Sequence, residues 1–224
     1  MGLRELKKQQ MRDRIGETAW RLFAERGFDR VTVVEVAREA QVSEATVFNY
    51  FPAKEDLFYS RFEAYGDRLV EAVRTRPADE PALAAFRRTL LEPAGLLARV
   101  EDGDAEAYAQ LRTVNRTIAE SPALQAREQR AVADCVDALA AVLAAESDTP
   151  ADDIAARVAA DALFGVHRAL IAHVRQHVLS DDSDGEPSRL ATDVHRLAER
   201  GFALLKGGLR AYGAKGRDGA PTVA

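Results

Sequence analysis

Asn49 and Ala45 stand four residues apart in the segment SEATVFNYF, residues 43–51. In a helix this spacing places two side chains on the same face. An Asn amide can form two hydrogen bonds with adenine in the major groove of DNA, and an Ala methyl can touch the methyl group of thymine. The pair therefore predicts a helix that reads base edges.

The other residues of this segment fit the same interpretation. Apolar positions three or four apart form a buried stripe of Val47, Tyr50 and Phe51. The opposite face carries Glu44, Ala45, Phe48 and Asn49. Around it lie the hydroxyl and ammonium donors of Thr46, Tyr50 and Lys54, the kind of group that binds phosphates and fixes the register on DNA. Glu44 has two interpretations, since it can accept a hydrogen bond from a cytosine amino group or simply stabilise the helix N-terminus.

Two further helices must hold this reading helix in place, and the sequence marks where they begin and end. Residues from about 5 to 26 repeat apolar side chains at spacings of three and four, and Gly27 ends this predicted helix. Thr32 and Glu35 have the spacing of a capping box, which begins the second helix. Ser43 can cap the third. Residues 32–54 therefore predict a helix-turn-helix.

The charge distribution is compatible with DNA binding although the whole chain is acidic. The 224 residues carry a net charge of −5, which alone argues against a nucleic-acid binder. Residues 1–57, however, are neutral, with ten basic and ten acidic side chains. Five basic residues lie near the start: Arg4, Lys7, Lys8, Arg12 and Arg14. They form either an arm that contacts DNA or a solvated helix face.

Residues 12–57 closely resemble the DNA-binding domain of the TetR (tetracycline-repressor) family of bacterial transcriptional regulators. The resemblance rests on LFAERGF, TVVEVA, VSEAT and YFPAKEDL in that order. It implies a homodimeric repressor, or more rarely an activator, whose helical C-terminal domain dimerises and binds a small molecule. It also implies phosphate contacts by Thr32, Ser43, Thr46, Tyr50 and Lys54. The groove contacts that it implies are those of Glu44, Ala45 and Asn49.

Four positions depart from the family pattern. Glu44 stands where a basic or small residue is common. Gln41 replaces the usual turn glycine, so this position must accept a side chain. Phe48 lacks the hydroxyl of the commoner tyrosine, which favours an apolar contact to a methyl group or sugar over a phosphate contact. Ala53 lacks the capping oxygen of the usual serine.

The rest of the chain predicts further helices and no strand. They cover about 54–76, 81–91, 94–100, 104–120, 122–146, 151–179 and 188–212. The expected fold is all-α, with an N-terminal three-helix helix-turn-helix DNA-binding domain at 1–53 and a larger C-terminal helical effector-binding and dimerisation domain at 54–212. Residues 213–224 are glycine-rich and predict a disordered tail.

The last two long helices carry apolar ridges. The first ridge comprises Ile154, Val158, Ala162, Val166, Leu170, Val174 and Val178. The second comprises Leu190, Val194, Leu197, Leu204, Leu205 and Leu209, with Gly201 and Gly208 allowing close approach. Both ridges can be intramolecular core. We favour a homodimer through the helices at 151–179 and 188–212, because the resemblance implies it and a pseudo-palindromic operator demands two-fold symmetry.

An effector pocket is expected where the helix at 54–76 meets the helices that follow it. The candidate wall residues are Phe62, Tyr65, Leu69, Phe86, Leu90, Leu97, Tyr108, Leu111, Phe164 and His167. Such an aromatic stripe can equally be plain core. Arg112, Arg116, Tyr108 and His167 could supply polar anchors. Inward-facing arginines would favour an anionic or carbonyl-bearing ligand over a cation.

No other chemistry is expected. His173 and His177 lie one helical turn apart, but no third metal ligand is evident. The only cysteine, Cys135, lies on an apolar stripe and predicts a buried, inert thiol. We expect no catalytic residue, no cofactor and no metal. The absence of a long apolar segment or a signal peptide predicts a cytoplasmic protein that does not bind membranes.

The function that the sequence favours is a ligand-responsive dimeric regulator. It would repress transcription by binding a double-stranded DNA operator, and an unknown small-molecule effector would release it. One alternative is a related DNA-binding protein without a small-molecule ligand, controlled by a protein partner. Another is an enzyme in the C-terminal domain, which a convergent set of titratable side chains would indicate.

Overall fold

The computed structural model describes residues 2–60, 63–92, 95–147, 150, 153–180 and 187–208, and within these ranges it contains helices and no strand. The predicted all-helical fold is confirmed. The predicted tail at 213–224 lies outside the described residues. The helices are α1 (Leu3–Arg26), α2 (Val33–Glu39), α3 (Glu44–Tyr50), α4 (Lys54–Tyr59), α5 (Glu63–Arg74), α6 (Ala82–Leu91), α7 (Gly95–Glu101), α8 (Ala105–Glu120), α9 (Pro122–Glu146), α10 (Ile154–Leu179) and α11 (Pro187–Gly207).

The predicted helix caps of the N-terminal unit are confirmed. The Thr32 hydroxyl accepts a hydrogen bond from the Glu35 backbone N–H, and the Glu35 carboxylate accepts one from the Thr32 N–H. At the start of α3, Ser43 Oγ accepts from the Thr46 N–H at 3.1 Å. These bonds satisfy amides that have no partner inside their own helices, so both boundaries are fixed locally.

Helices α1 to α4 share one hydrophobic core. Its centre consists of side chains that are almost completely buried: Ile15, Leu22, Val36, Val47, Phe51 and Leu57. The Trp20 indole stacks on the Phe58 ring with centroids 5.0 Å apart and donates a hydrogen bond to the Phe58 carbonyl. Helix α4 therefore packs directly on α1.

The structure differs from the prediction of one long helix over 54–76. Helix α4 ends at Tyr59, and Ser60 forms its C-terminal cap. The Ser60 hydroxyl donates to the carbonyl oxygen of Leu57 at 2.8 Å, a side-chain bond of the kind that competes with regular helix. Helix α5 then covers Glu63–Arg74.

The larger core lies among α5, α6, α9, α10 and α11. Phe86 and Phe164 are buried at its centre, with their rings edge to face and centroids 5.2 Å apart. Gly201 lets α11 approach α10, because a Cβ there would lie only 3.1 Å from a methyl carbon of Val166. Helix α11 ends at Gly207 rather than at the predicted 212, since Gly208 has a φ of +71° and does not continue the helix.

The two cores meet at α8 and α9. Val114, Ile118 and Leu124 belong to the same cluster of buried side chains as α1 to α4. The Tyr59 hydroxyl donates to the Leu124 carbonyl at 3.2 Å. The C-terminal helices thus complete the core of the N-terminal unit.

Candidate DNA-reading surface and effector cavity

The predicted reading face of α3 is accessible. Glu44, Ala45 and Asn49 are exposed, and Phe48 exposes 43% of its surface. Val47, on the opposite side of the helix, is completely buried. The buried side of the helix therefore holds it in place, while its outer side presents small and polar groups and one aromatic ring. Direct contact with the edges of DNA bases needs this arrangement.

The turn before α3 has an unusual backbone. Gln41 has a φ of +55°, and it is the only non-glycine residue with a positive φ in the part of the chain that the structure describes. Its side chain is exposed, so it fits in space. The left-handed conformation costs a residue with a Cβ about 1–2 kcal/mol. Gln41 thus adopts the left-handed backbone conformation that glycine would adopt at this turn position.

Most of the predicted phosphate-binding groups also form hydrogen bonds or packing contacts within the protein. The Thr32 hydroxyl donates to Glu35 within the capping box. Ser43 Oγ and Thr46 Oγ1 are hydrogen-bonded to each other at 2.7 Å. Tyr50 is half-buried against the N-terminal core. At these positions the groups that cap and pack α2 and α3 are the same groups that were predicted to contact phosphates.

Lys54 is held against the α1–α2 connection. Its ammonium lies 4.2 Å from the centre of the Phe28 ring and donates to the Asp29 carbonyl oxygen at 3.5 Å. Partial burial lowers the pKa of the Lys54 ammonium, and the charges of Asp29, Glu55 and Glu35 oppose this effect. The residue therefore links α4 to the N-terminal unit in addition to its predicted phosphate contact.

A cavity of about 520 Å³ lies among α4 to α11. Every one of these eight helices contributes wall residues. The wall is mainly apolar, and its aliphatic members include Leu90, Leu97, Leu111, Val132, Leu170 and Val174. This volume lies within the range of small-molecule sites.

The cavity brings together only some of the predicted pocket residues. Tyr65, Leu90, Leu97, Leu111, Phe164 and His167 line it. Leu69 and Phe86 are completely buried in the adjacent core and lie outside the wall, as do Tyr108 and Arg112. Arg116 is exposed on α8. Phe62 lies outside the described residues.

Sequence reasoning missed the two arginines that do line the cavity. Arg175 forms a two-pronged ion pair with Glu128, at 2.7 and 3.0 Å, and its Nε donates to Asn115 at 3.3 Å. Arg127 donates through Nε to Asp56 at 2.5 Å. Arg175 directly follows Val174 of the apolar ridge of α10, and this place beside the ridge is the signal that could have identified it. The expectation of an anionic or carbonyl-bearing ligand depended on Arg112 and Arg116, and neither lines the cavity.

His167 lies between aromatic rings in the cavity wall. Its centroid is 5.8 Å from that of Tyr65 and 5.9 Å from that of Phe164. Desolvation by burial, with a smaller contribution from Arg168, lowers the pKa of His167 to about 4. The imidazole is therefore neutral at pH 7. No described residue accepts from or donates to its Nδ1.

Cys135 also lines the cavity and is half-buried. Burial, reinforced by the nearby charges of Asp67 and Asp134, raises the pKa of its thiol to about 11. A thiol is a poor nucleophile when it is protonated, so Cys135 is unreactive near neutral pH. This agrees with the inert thiol that the sequence predicts.

Two sequence profiles match the chain along most of its length. The profile described as bacterial regulatory proteins of the tetR family matches residues 15–60, and the profile of the MftR C-terminal domain matches residues 80–208. The chain belongs to the TetR family. It is a DNA-binding transcriptional regulator and not an enzyme.

Individual relatives of this chain are also described as transcriptional regulators. The regulator TcmR of Streptomyces glaucescens is 30% identical over 158 residues, which cover 68% of this chain and 67% of TcmR. LuxR of Vibrio harveyi is 49% identical over 55 residues, or 25% of each chain. The solved structure of SmeT, a repressor from Stenotrophomonas maltophilia, has a TM-score of 0.50 at 14% identity. The match covers 84% of this chain and 88% of the SmeT chain. The SmeT likeness concerns the fold alone.

Two further features are absent from the described ranges. None of the helices there is both long and apolar enough to cross a membrane. Nor do three or more His, Cys, Asp or Glu side chains converge there as a metal site requires.

Proposed function

We propose that this regulator is a homodimeric repressor that binds a pseudo-palindromic operator and is released when a small molecule occupies the cavity. One observation carries the proposal: the cavity wall and the core of the DNA-reading unit share side chains. Tyr59, Val114 and Ile118 line the cavity and also belong to the buried cluster of α1 to α4. A ligand that displaces them must disturb the packing that holds α3.

A polar connection runs along the same route. Asp56 accepts from Arg127, a cavity wall residue, through Oδ1. Its other oxygen, Oδ2, accepts from the Ala53 N–H at 2.9 Å and so caps α4, which begins four residues after α3 ends. A ligand that moves Arg127 therefore changes the bonding of α4 next to the reading helix. Two arrangements of this connection with different ligand affinities suffice for control.

The two-fold assembly is supported by exposed apolar surface on α10. Ile154 and Val158 are 73% and 58% exposed, although they are large aliphatic residues one helical turn apart. The same ridge is buried further along, where Leu170 and Val178 pack in the core. Burial of the exposed end in a two-fold interface with α10 and α11 of a second copy would remove it from water.

On DNA, Asn49 and Ala45 are assigned to base edges and Phe48 to a thymine methyl or sugar. Glu44 lies beside them at the start of α3. Thr32, Ser43, Thr46, Tyr50 and Lys54 are assigned to the flanking phosphates. The large cavity favours a small-molecule effector over control by a protein partner alone.

The protein is expected to act in the cytoplasm, where such operators lie. The test is an electrophoretic mobility and footprinting experiment on the promoter DNA nearest its own gene. The proposal expects a symmetric footprint that a cavity-binding compound abolishes. A protein that binds DNA identically with its cavity filled would contradict the effector function.

A further inference from the structure

The two tyrosines and the asparagine of the cavity wall are hydrogen-bonded to other parts of the protein. The Tyr59 and Tyr65 hydroxyls donate to the carbonyl oxygens of Leu124 and Leu90. The Asn115 amide donates to Leu111 and accepts from Arg175. These bonds leave little hydrogen-bonding capacity in these three side chains for a ligand.

The charged groups of the wall are unsuited to an anion. Arg127 and Arg175 are each paired with a carboxylate, at 2.5 and 2.7 Å, and these four side chains are at most 22% exposed. A ligand carboxylate or phosphate would have to displace a shielded carboxylate to reach either guanidinium, which is costly. Four further carboxylates line the cavity without being buried: Asp67, Glu92, Glu101 and Asp134.

The interior is equally unsuited to a desolvated cation. Glu128 is the carboxylate of the wall that is partly buried, and both of its oxygens are already bonded to Arg175. The four other carboxylates are exposed, so solvent screens any attraction that they exert. An ammonium that left water for the apolar interior would lose more hydration than these groups return.

His167 is the exception among the buried polar groups of the wall. Its Nδ1 is buried and unpaired within the described ranges, and its ring lies between Tyr65 and Phe164. A neutral imidazole has one nitrogen that donates and one that accepts. It can therefore bond a hydroxyl or a carbonyl, while the two neighbouring rings offer stacking surfaces to a flat molecule.

We infer that the cavity takes an uncharged, mainly apolar, aromatic ligand whose hydroxyl or carbonyl group bonds to His167. The inference rests on the proposed effector function and narrows it to one chemical class. Of the expected anionic or carbonyl-bearing ligand, it keeps the carbonyl group and drops the anion.

Four probes that share a naphthalene ring test the inference by isothermal titration calorimetry at pH 7: naphthalene, 2-naphthol, 2-naphthoate and 2-naphthylmethylammonium. We expect 2-naphthol to bind about fivefold more tightly than naphthalene, because one neutral hydrogen bond is added. Naphthoate and the ammonium should bind at least tenfold more weakly than 2-naphthol. If either 2-naphthoate or 2-naphthylmethylammonium bound as tightly as 2-naphthol, the preference for an uncharged ligand would be refuted.

His167→Phe tests the anchor. This variant should bind naphthalene as before and lose the preference for 2-naphthol, whereas His167→Gln, which keeps a hydrogen-bonding group, should retain much of it. His173→Phe is the matched control, since it makes the same change on the same helix outside the cavity wall. Retention of the preference in His167→Phe would refute the role of His167. If that variant does not fold, the comparison of the four probes on the unsubstituted protein still decides the ligand class.

Failure of the inference can be told apart from failure of the proposed function. If no probe binds while the protein still binds DNA, the ligand class is wrong. If 2-naphthol binds with the expected preference but saturating amounts leave operator affinity unchanged, the class stands and the effector function is wrong.

Discussion

Removal of the Asp56 charge should uncouple α4 from the cavity wall at a measurable cost in stability. The Asp56–Arg127 bond is 2.5 Å long, and its side chains are only 17% and 18% exposed. A hydrogen bond to a charged group contributes about 1.5–3 kcal/mol. Because some solvent still reaches the pair, we expect Asp56→Asn to lower the free energy of unfolding by about 2 kcal/mol.

Asp56→Ala should cost about 1 kcal/mol more than Asp56→Asn, because only the Asn side chain keeps an oxygen that can accept from the Ala53 N–H. Urea unfolding at one fixed protein concentration measures both values, with the single tryptophan, Trp20, as the reporter. Trp20 is well placed, since its indole stacks on Phe58 of α4.

A double-mutant cycle with Arg127→Met separates the pair from its surroundings. We expect a coupling energy of about 1–2 kcal/mol between positions 56 and 127. The matched control is Glu92→Gln, which breaks the Arg68–Glu92 pair whose side chains are 48% exposed, and it should cost less than about 0.5 kcal/mol. A coupling energy near zero, or equal costs for Asp56→Asn and Asp56→Ala, would refute this account of the α4 connection.

Four further predictions follow from particular residues. Gln41→Gly should raise the free energy of unfolding by about 0.5–1 kcal/mol, because glycine adopts a positive φ without strain, whereas Ala40→Gly, at a φ of −78°, should lower it in the same urea titration. A loss of stability in Gln41→Gly would count against strain at the turn. Asn49→Ala should relax preference by about 1–3 kcal/mol at one base pair, while Lys54→Ala should weaken all sites alike and reduce the salt dependence, as measured by fluorescence anisotropy; an unchanged preferred sequence in Asn49→Ala would move the reading face elsewhere. Cys135, with a pKa of about 11, should be alkylated by iodoacetamide at pH 8 about a hundredfold more slowly than the unfolded chain, and more quickly as pH rises, because only the thiolate reacts; equal rates would show an ordinary thiol. Val158→Glu should convert the dimer to monomer in analytical ultracentrifugation while Ala123→Glu, on the exposed side of α9, should not; a Val158→Glu dimer would exclude this end of α10 from the interface.

The helices α1 to α3 were largely predictable because their signals are local. Each capping side chain accepts a hydrogen bond from a backbone N–H three residues away, and this holds for Thr32, Glu35 and Ser43. The exposed face of α3 follows from helical spacing alone. The interruption after α4 was missed, because the apolar pattern continues past it and no Gly or Pro lies between Lys54 and Glu63.

The cavity was only partly predictable because its wall depends on distant residues. Arg127 and Asp56 are 71 positions apart, and Arg175 and Glu128 are 47 apart. Helical periodicity places Leu69 and Phe86 on inward faces, but it does not distinguish a core from a cavity wall. The packing of eight helices decides that Tyr65 and His167 border empty space while Phe86 does not.

Selection of binding sites from random double-stranded DNA tests the central claim most directly. We predict enrichment of one two-fold symmetric sequence, bound by two protomers, with the same base position of each half-site relaxed in Asn49→Ala. Enrichment of no sequence above the starting pool, or of an asymmetric site that Asn49→Ala selects equally well, would contradict it.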